Sequence, residues 1–259
     1  MMSVQRIING QLQAASTDVL AVETATAIEI NGLSHAVMMG TPDDLHDFAI
    51  GFTYAEGIIQ SHADVYDIEF ETVAHGINLR MTIAASCFAK LKQTRRTLLG
   101  RTGCGICGIE SLAYFQNTKP PANTRPAQLD VRILDQVLHD FEQQQPLRAQ
   151  TGATHAAAWV NWQGQIIALR EDVGRHNALD KLIGALLRSK AQPADGFVLV
   201  SSRASFEMVQ KTAHWGSNCL VAVSAATTQA VQWAHMQNLQ LIGFARIGKA
   251  VQYTDIKNG

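Results

Sequence analysis

The second half of the chain alternates short apolar runs with amphipathic segments, and this alternation constrains the fold more than any other feature of the sequence. The apolar runs predict strands and the periodic segments between them predict helices. The predicted strands are 156–161, 166–170, 196–201, 220–224 and 241–245, and the predicted helices are 178–188, 206–215 and 228–238. Continuous apolar strands separated by helices indicate an α/β core in which helices cover a parallel or mixed sheet.

The first half of the chain has a different pattern. Runs that alternate apolar and polar residues predict antiparallel strands within residues 3–39, where Asn31-Gly32 is a strong signal for a two-residue hairpin. Thr41 as N-cap predicts a helix whose apolar face ends near Gly57, and residues 68–70 and 76–83 predict further strands. A smaller N-terminal α+β part therefore precedes the α/β core.

The two parts meet at a polar segment, residues 117–128, that contains three prolines (Pro120, Pro121 and Pro126). Proline clusters among polar residues are typical of linkers, and an amphipathic helix over residues 131–141 follows. We therefore predict an N-terminal part at 1–125 and a core at 126–259. With 259 residues and 47% hydrophobic content, the chain can bury a full core.

Charge and hydropathy exclude several classes of partner. The chain has 21 basic and 22 acidic residues, so it lacks the basic field that holds nucleic acid through counterion release. No apolar run approaches the roughly 18 residues that span a bilayer, and residues 1–13 lack a secretory pattern. With only four cysteines, we expect a protein of the reducing cytoplasm that binds neither nucleic acid nor membrane.

Two cysteines, Cys104 and Cys107, lie in a glycine-rich stretch, residues 100–108. The glycines favour a loop that presents sulfur, and helical spacing after it places the thiols near a helix N-terminus. That position and Arg101 would lower the pKa of a thiol and favour the reactive thiolate. The pattern thus favours a persulfide or redox pair over two inert, buried cysteines.

Two other interpretations of the cysteine pair have less support. A structural zinc site needs four ligands, and the remaining cysteines, Cys87 and Cys219, are isolated in the sequence. A thioredoxin-type exchanger would carry the motif in its first βαβ unit, whereas about a hundred residues precede it here. We expect no resident metal site.

Polar stretches follow three of the predicted strands, where α/β proteins usually place their functional residues. Residues 171–181 are the densest cluster, with Asn177 as the predicted N-cap of the next helix. Ser202 and Arg203 could bind a phosphate or simply cap a helix, and both interpretations stay open. Arg246 and Lys249 flank a glycine in a manner that also suits phosphate. Each stretch could alternatively be a solvated turn.

Together, residues 101–108, 171–181, 201–208 and 243–254 resemble the FdhD family, sulfur carriers required to make formate dehydrogenase active. The resemblance covers nearly the whole chain. It implies a cytidine-deaminase-like α/β/α layered core with a mixed sheet, and a homodimer. It also implies a sulfurtransferase that takes sulfur from a cysteine desulfurase as a persulfide on the loop of Cys104 and Cys107. The implied acceptor is a molybdenum bis(molybdopterin guanine dinucleotide) cofactor, which then passes to the formate dehydrogenase apoenzyme.

The resemblance also implies where that cofactor binds. The family's cofactor-binding stretch matches Phe244, Ala245, Arg246, Ile247, Gly248 and Lys249, and we expect GDP to mimic part of the cofactor. Lys249 stands where arginine is more often expected, which keeps the charge but removes a bidentate phosphate contact.

Two further functions remain as alternatives. One is a non-enzymatic chaperone that only binds and hands over the cofactor. The other is a zinc-dependent deaminase, because Thr154-His155-Ala156-Ala157 resembles the His-x-Glu signature of that class. Ala157 replaces the glutamate that would shuttle protons, and the Cys-x-x-Cys motif precedes the histidine, so deamination is disfavoured.

Overall fold

The computed structural model describes residues 1–99 and 129–254, whose strands form sheets of two, four and six strands. The two-stranded sheet is an antiparallel hairpin of β1 (Met2–Ile8) and β2 (Gln11–Asp18). Asn9 and Gly10 form its turn, and both have positive φ. This hairpin signal has the same Asn-Gly form as the one predicted at Asn31-Gly32.

The four-stranded sheet contains the remaining N-terminal strands in the order β4-β3-β6-β5. Their bounds are β3 Thr24–Ile30, β4 Leu33–Gly40, β5 Val65–Val73 and β6 Gly76–Ile83. The predicted Asn31-Gly32 hairpin is confirmed, with φ of 47° and 79° at the two turn residues. Helices α1 (Leu45–Ala55) and α2 (Ala85–Leu99) contribute to the hydrophobic core beneath this sheet, and a single 3₁₀ turn (His62–Asp64) precedes β5.

Helix α1 begins later than the sequence predicted. Its first residue is Leu45, preceded by Asp44 at φ 53° with no side-chain cap. Thr41 is therefore not the N-cap. Its hydroxyl instead donates to Asp172 and accepts from Lys181, because those two buried side chains offer it stronger, charge-assisted partners.

The six-stranded sheet has the strand order β12-β11-β10-β9-β7-β8. Its strands are β7 His155–Asn161, β8 Ile166–Asp172, β9 Gly196–Val200, β10 Cys219–Ala222, β11 Gln240–Arg246 and β12 Lys249–Gln252. Strands β9, β10 and β11 are mutually parallel, whereas β7 is antiparallel to both β8 and β9, and β12 is antiparallel to β11. The prediction of a mixed sheet is confirmed.

Helices cover both faces of this sheet. They are α3 Leu134–Gln143, α4 Pro146–Thr151, α5 Arg175–Ser189, α6 Phe206–Trp215 and α7 Thr228–Met236, with 3₁₀ turns at Val131–Ile133 and Pro193–Asp195. Trp159, Val198 and Leu220 point toward α5, α6 and α7, whereas their neighbours along the strands pack on the opposite face with α3. Alternate residues along each strand therefore contribute to hydrophobic cores on opposite faces of the sheet. The predicted α/β/α layering is confirmed.

Helices α1 and α5 pack closely and join the N-terminal sheet to the larger core. A side chain on Gly51 would overlap the carbonyl of Asp180, and one on Gly184 would overlap the carbonyl of Asp47. The predicted boundary at residue 125 lies outside the described residues, so the division into two domains stays a prediction. Within the described ranges, no helix is long and apolar enough to cross a membrane.

Candidate functional site

The polar stretches after β8, β9 and β11 lie at one edge of the six-stranded sheet. Strands β8 and β9 are both antiparallel to β7, so they run in the same direction as β10 and β11. Ala157 pairs with both Arg170 and Val200, which places the ends of β8 and β9 at the same level. The three stretches that the sequence singled out therefore share the carboxyl edge, where ligands bind in open α/β sheets.

Part of the cluster at residues 171–181 is structural. Asp172 and Lys181 form an ion pair with 2.7 Å between carboxylate oxygen and Nζ, and each side chain is about 1% exposed. The same carboxylate accepts the N–H of Thr41 at 2.9 Å and that of Gly174 at 2.8 Å. This ion pair fastens the segment before α1 to β8 and α5, which accounts for much of the polar density in the sequence.

Glu171 is also engaged in structure. Its carboxylate accepts the N–H groups of Leu147 and Arg148 at 2.9 and 2.8 Å, and the hydroxyl of Thr154 at 2.9 Å. The two N–H groups belong to the first turn of α4, which has no partner for them within the helix. Glu171 therefore caps α4 from the neighbouring strand.

Asn177 is not an N-cap, contrary to the sequence prediction. Helix α5 starts at Arg175 after Gly174, and Asn177 is buried within its first turn. The Asn177 amide donates to the carbonyl of Met39 at 2.7 Å and to Asp172 at 3.1 Å. These tertiary contacts replace a local cap because the amide satisfies two acceptors at once, one in β4 and one in β8.

The more accessible part of the cluster includes two histidines. His176 Nε2 lies 2.8 Å from a carboxylate oxygen of Glu207, and this bond joins the first turns of α5 and α6. Burial lowers the pKa of His176, and the opposing effect of Glu207 is smaller. Burial thus favours the neutral form of His176, in which an Nε2–H donates to the Glu207 carboxylate.

His155 stands at the start of β7 in a positive environment. Its Nδ1 lies 3.5 Å from the hydroxyl oxygen of Ser201, which accepts the N–H of Ala156 at 2.9 Å. Burial lowers the pKa of His155, and the charges of Arg175 and Arg148 lower it further. This part of the edge therefore favours an anionic ligand over a cationic one.

The structure separates the roles of the two residues predicted to meet phosphate after β9. Ser202 is buried, and its hydroxyl donates to the carbonyl of Arg203 at 3.1 Å, so it stabilises the loop from within. Arg203 is exposed to solvent at the carboxyl edge of the sheet. Of this pair, Arg203 is the one whose side chain is available to a ligand.

The predicted cofactor stretch, residues 244–249, forms the hairpin between β11 and β12. Phe244 has φ 48° and donates its N–H to Ser224, and Ala245 is buried in the core. Arg246 pairs with Lys249 across the two strands, and both side chains are exposed beside Ile247 and Gly248. A bulge between Gly243 and Arg246 bends the strand, so the hairpin turns away from the plane of the sheet.

A cavity of about 390 Å³ adjoins this hairpin. Arg246, Lys249 and Arg132 contribute positive charge to its lining, and Asp135 contributes negative charge. Asp135 accepts the N–H of Gly248 at 2.8 Å and so fixes the turn against α3. The cavity can take an anionic group between the hairpin and the start of α3.

The two predicted phosphate-binding places lie on the same edge but are not adjacent. Hydrogen bonds join both places to the loop after β10, which lies between them. Ala204 N–H donates to the carbonyl of Ala225, and Phe244 N–H donates to the carbonyl of Ser224. Strands β9 and β11 are two steps apart, or about 10 Å at the usual strand spacing. Only a ligand larger than a single phosphate could contact both.

The cysteines fall into two groups. Cys104 and Cys107 lie outside the described residues. Cys87 and Cys219 are both buried, and burial raises the pKa of the Cys219 thiol. Neither described thiol can meet another protein without local unfolding.

In the described part of the chain, the deaminase-like signature lacks its glutamate. Ala157 is fully buried in β7, at the place where the deaminase signature would need a glutamate. Within residues 1–99 and 129–254, no group of three His, Cys, Asp or Glu side chains could hold a metal ion.

Sequence reasoning missed a second buried ionic cluster. Asp47 in α1 is buried and pairs with Arg170 at 2.7 Å and Arg188 at 2.6 Å, while Asp180 binds Lys211 at 2.6 Å. The signal was present, because Asp47 and Asp180 both interrupt the apolar face of a helix. An acid at such a position requires a cationic partner in the fold.

Comparison with known proteins finds related sequences over almost the whole chain. A family model described as the FdhD/NarQ family matches residues 21–258. Proteins named "Sulfur carrier protein FdhD" from Bordetella parapertussis and Cupriavidus necator are 48% and 47% identical, each over 97% of this chain and over 91% and 86% of their own.

A solved structure shares the fold as well. It is a crystal structure of a Desulfotalea psychrophila protein described as a formate dehydrogenase accessory protein, with a TM-score of 0.77. The match covers 99% of this chain and 97% of the other at 22% identity, which establishes similarity of fold alone.

Proposed function

This chain belongs to the FdhD/NarQ family, and we propose that it is a sulfur carrier that serves the maturation of formate dehydrogenase. The observation that carries the proposal is its similarity, over almost its full length, to relatives that bear the name of sulfur carrier. In this proposal the protein is a sulfurtransferase with a cysteine persulfide intermediate.

Cys104 and Cys107 are the proposed carriers. The two other cysteines are buried, which supports this assignment by elimination. In the loading step, the Cys104 thiolate attacks the outer sulfur of a persulfide on a cysteine desulfurase. A new S–S bond forms on Cys104, the desulfurase S–S bond breaks, and the desulfurase cysteine leaves as a thiolate. The exchange needs no external oxidant or reductant.

Release of the sulfur as sulfide requires two electrons, which Cys107 can supply. Its thiol attacks the inner sulfur of the Cys104 persulfide, giving a Cys104–Cys107 disulfide and hydrogen sulfide. Atoms and electrons balance in this step, and a cellular dithiol then reduces the disulfide for the next cycle. A pair of cysteines with this spacing therefore suits both loading and release.

The proposed acceptor is the molybdenum bis(molybdopterin guanine dinucleotide) cofactor, held as a substrate at the carboxyl edge. Arg246 and Lys249, exposed at the β11–β12 hairpin beside the 390 Å³ cavity, would meet phosphate oxygens, and Arg203 would meet them two strands away. Phe244 is 41% exposed and offers a ring face for stacking on a base. Ser202, Ala245, Ile247 and Gly248 shape the backbone of these loops.

The partners in this proposal are a cysteine desulfurase, the formate dehydrogenase apoenzyme and a second copy of the chain in a homodimer. We place the exchange in the cytoplasm, because the free thiols it uses persist in a reducing compartment.

Mass spectrometry after incubation with a cysteine desulfurase and cysteine tests the proposal. We expect a gain of about 32 Da, one sulfur atom, on the peptide that contains Cys104, and its loss on reduction. Cys104→Ala should abolish the gain, whereas Cys107→Ala should retain it but block release as sulfide. Cys87→Ala is the matched control, because that thiol is buried. A gain confined to Cys107 or Cys219 would reverse the assignment.

The chaperone alternative makes the opposite prediction for the same variants. A protein that only binds and hands over the cofactor would support formate dehydrogenase activity with both loop cysteines replaced. Loss of activity in the Cys104→Ala protein, with GDP binding retained, supports sulfur transfer. Retention of activity would establish the chaperone function instead.

A further inference from the structure

We propose that the outer edge of β8 binds an extended peptide segment of a partner protein, which adds a strand to the six-stranded sheet. The segment alternates apolar residues with others and carries a lysine or arginine at one end. Such binding is independent of sulfur transfer and goes beyond the proposed function. It follows from an unpaired strand edge, a cavity along that edge and an acidic charge at one end of the cavity.

Strand β8 lies at an edge of the six-stranded sheet, because in the described part of the chain it pairs with β7 alone. Ser201 N–H donates to the carbonyl of Ala156, so the backbone groups of Ala156 point toward β9. Those of Ala157 therefore point toward β8, where Ala157 pairs with Arg170. Leu169, the residue before Arg170, then directs its N–H and carbonyl away from β7.

The backbone of Leu169 is able to pair with an added strand. Its carbonyl accepts Nη1 of Arg170 at 2.8 Å, which is consistent with an outward direction. A carbonyl oxygen has two lone pairs, so it can accept a second hydrogen bond from a peptide N–H. The N–H of Leu169 can donate to a peptide carbonyl. Main-chain bonds of this kind supply the affinity when an extended peptide joins a sheet edge.

The two edges of this sheet differ in how they are protected against strand addition. Natural proteins protect exposed edges with short strands, lysines or prolines. The other edge strand, β12, has four residues and begins with the exposed Lys249. Strand β8 has seven residues, contains neither lysine nor proline and begins with two isoleucines. Ile167 has no partner in β7 and is 58% exposed, whereas residues 168–172 pair regularly with β7.

A cavity of about 590 Å³ lies along the outer edge of β8. Its volume is within the range of about 300–1,000 Å³ that is usual for ligand pockets. Residues 166–171 form one wall, and they extend over about 17 Å at the usual rise of a strand. The remaining walls are the turn between α3 and α4 and the segment before α1, which contribute Gln144, Pro146, Leu147, Asp43 and Asp44. An extended segment fits this shape better than a compact ligand.

The end of the cavity beside α1 carries an uncompensated negative charge. Asp43 is exposed and forms no ion pair among the described residues. Asp44 lies 3.5 Å from Arg170, and Arg170 also binds the buried Asp47 at 2.7 Å. Asp47 is shared with Arg188, so the three aspartates face only two guanidinium groups. A lysine or arginine in the peptide would pair with Asp43, and an acidic residue there would be repelled.

This surface is remote from the proposed phosphate contacts on the β11–β12 hairpin. Strands β8 and β12 are the opposite edges of the sheet, five steps apart, or about 24 Å at the usual strand spacing. A peptide bound along β8 would therefore leave Arg246 and Lys249 free to bind phosphate.

A phage-displayed library of random decapeptides, selected on the full chain, tests the proposal. We expect the enriched peptides to alternate apolar residues with others and to carry a lysine or arginine at one end. Enrichment of no such peptide would overturn the proposal.

Fluorescence polarisation with a synthetic enriched peptide tests the role of Asp43. Asp43→Lys should weaken binding by about tenfold or more, because an attractive charge becomes a repulsive one. Asp195→Lys is the matched control, since Asp195 is an exposed acid before β9 that does not line the cavity, and it should have no effect. Equal affinity of the peptide for wild type and Asp43→Lys would place the peptide elsewhere and overturn the proposal.

Peptides that are N-methylated at one residue each test strand addition without a change to the protein. Along an added strand, every second N–H points toward β8 and those between point to solvent. N-methylation should therefore weaken binding by about fivefold or more at alternate positions and have little effect between them. A ligand held by its side chains alone would show no such alternation, and that result would overturn strand addition.

Sedimentation velocity distinguishes a partner protein from a second copy of the chain. We expect the enriched peptide to leave the oligomeric state unchanged. Dissociation of a dimer by the peptide would show that β8 is an interface between copies, and would overturn the assignment to a partner. Failure of the proposed function is separate, because it would appear as the absence of a mass gain on Cys104 while the peptide still binds.

Discussion

Gly51 of α1 and Gly184 of α5 face each other across the contact between the two helices, with no side chain between the backbones. A Cβ on Gly51 would approach the Gly184 nitrogen to 2.8 Å, and one on Gly184 would approach the Gly51 nitrogen to 2.9 Å. Neither obstacle is a flexible side chain that could turn aside. The four-stranded sheet is therefore held to the core by a contact that only glycine permits.

Gly51→Ala should destabilise the protein by about 3 kcal/mol, because the helices must separate and lose packing along their length. Urea unfolding followed by circular dichroism measures the change. Gly57→Ala is the matched control near the end of the same helix. A Cβ on Gly57 would meet no other atom within 4 Å, but the residue has φ of 69°. Gly57→Ala should therefore cost only about 1 kcal/mol from backbone strain. Equal effects of the two substitutions would contradict the close contact.

Asp172→Asn should destabilise the protein by about 3–5 kcal/mol, because it leaves the charge of Lys181 buried without its counter-ion. The measurement is the midpoint of chemical unfolding at pH 7. Arg132→Gln, which breaks an exposed ion pair with Asp130, should leave the midpoint unchanged. A similar shift in both variants would refute a special role for the buried pair.

Asp180 should make the stability depend on pH in a direction opposite to that of most carboxyls. Burial raises the pKa of Asp180 from 3.8 to about 6, although Lys211 opposes the change. The folded state then holds this proton more tightly than the unfolded chain, so its contribution is most favourable below pH 4 and falls as pH rises to about 6. A difference of about 2 pKa units corresponds to about 3 kcal/mol.

Unfolding free energies of the wild type and Asp180→Asn between pH 4 and 7 measure this contribution. The substitution removes only this titrating carboxyl, so the difference between the two proteins isolates Asp180. The wild type should lose stability relative to the variant up to about pH 6 and then run parallel to it. Parallel curves over the whole range would show that the carboxyl titrates normally.

Lys249→Arg should strengthen GDP binding by about two- to fivefold, because guanidinium offers phosphate two parallel donors where ammonium acts as a point charge. Isothermal titration measures the affinity. Lys92→Arg, an exchange of the same type on the exposed side of α2, is the control and should have no effect. Unchanged GDP affinity in Lys249→Arg would place the phosphates away from the hairpin.

The class of fold could be predicted from the sequence because periodicity is local. The apolar runs fixed the strands of the core to within a few residues, and Asn31-Gly32 identified a hairpin through the backbone preference of two residues. The order β9-β7-β8, with β7 reversed, has no local signal. It follows from how the whole sheet packs beneath its helices.

The two predictions of helix N-caps were wrong for the same physical reason. Thr41 and Asn177 both carry side chains that cap helices in isolation, and both instead contact Asp172, which lies at a distance in sequence from Thr41 and belongs to another element. A buried carboxylate has lost its water and binds the hydroxyl or amide donor strongly, so the side chain turns away from the backbone N–H groups that its oxygen would accept in a cap. Such competition depends on burial, which a single sequence does not reveal.

Glu171 and Asp172 are consecutive carboxylates that bind different elements, α4 for one and the α1–α5 region for the other. They can do so because successive residues of a strand point to opposite faces. Insertion or deletion of one residue in β8 would therefore exchange their directions and release both anchors in a single event. The length of this segment is under tighter constraint than the identity of any one of its residues, since a point substitution removes only one anchor.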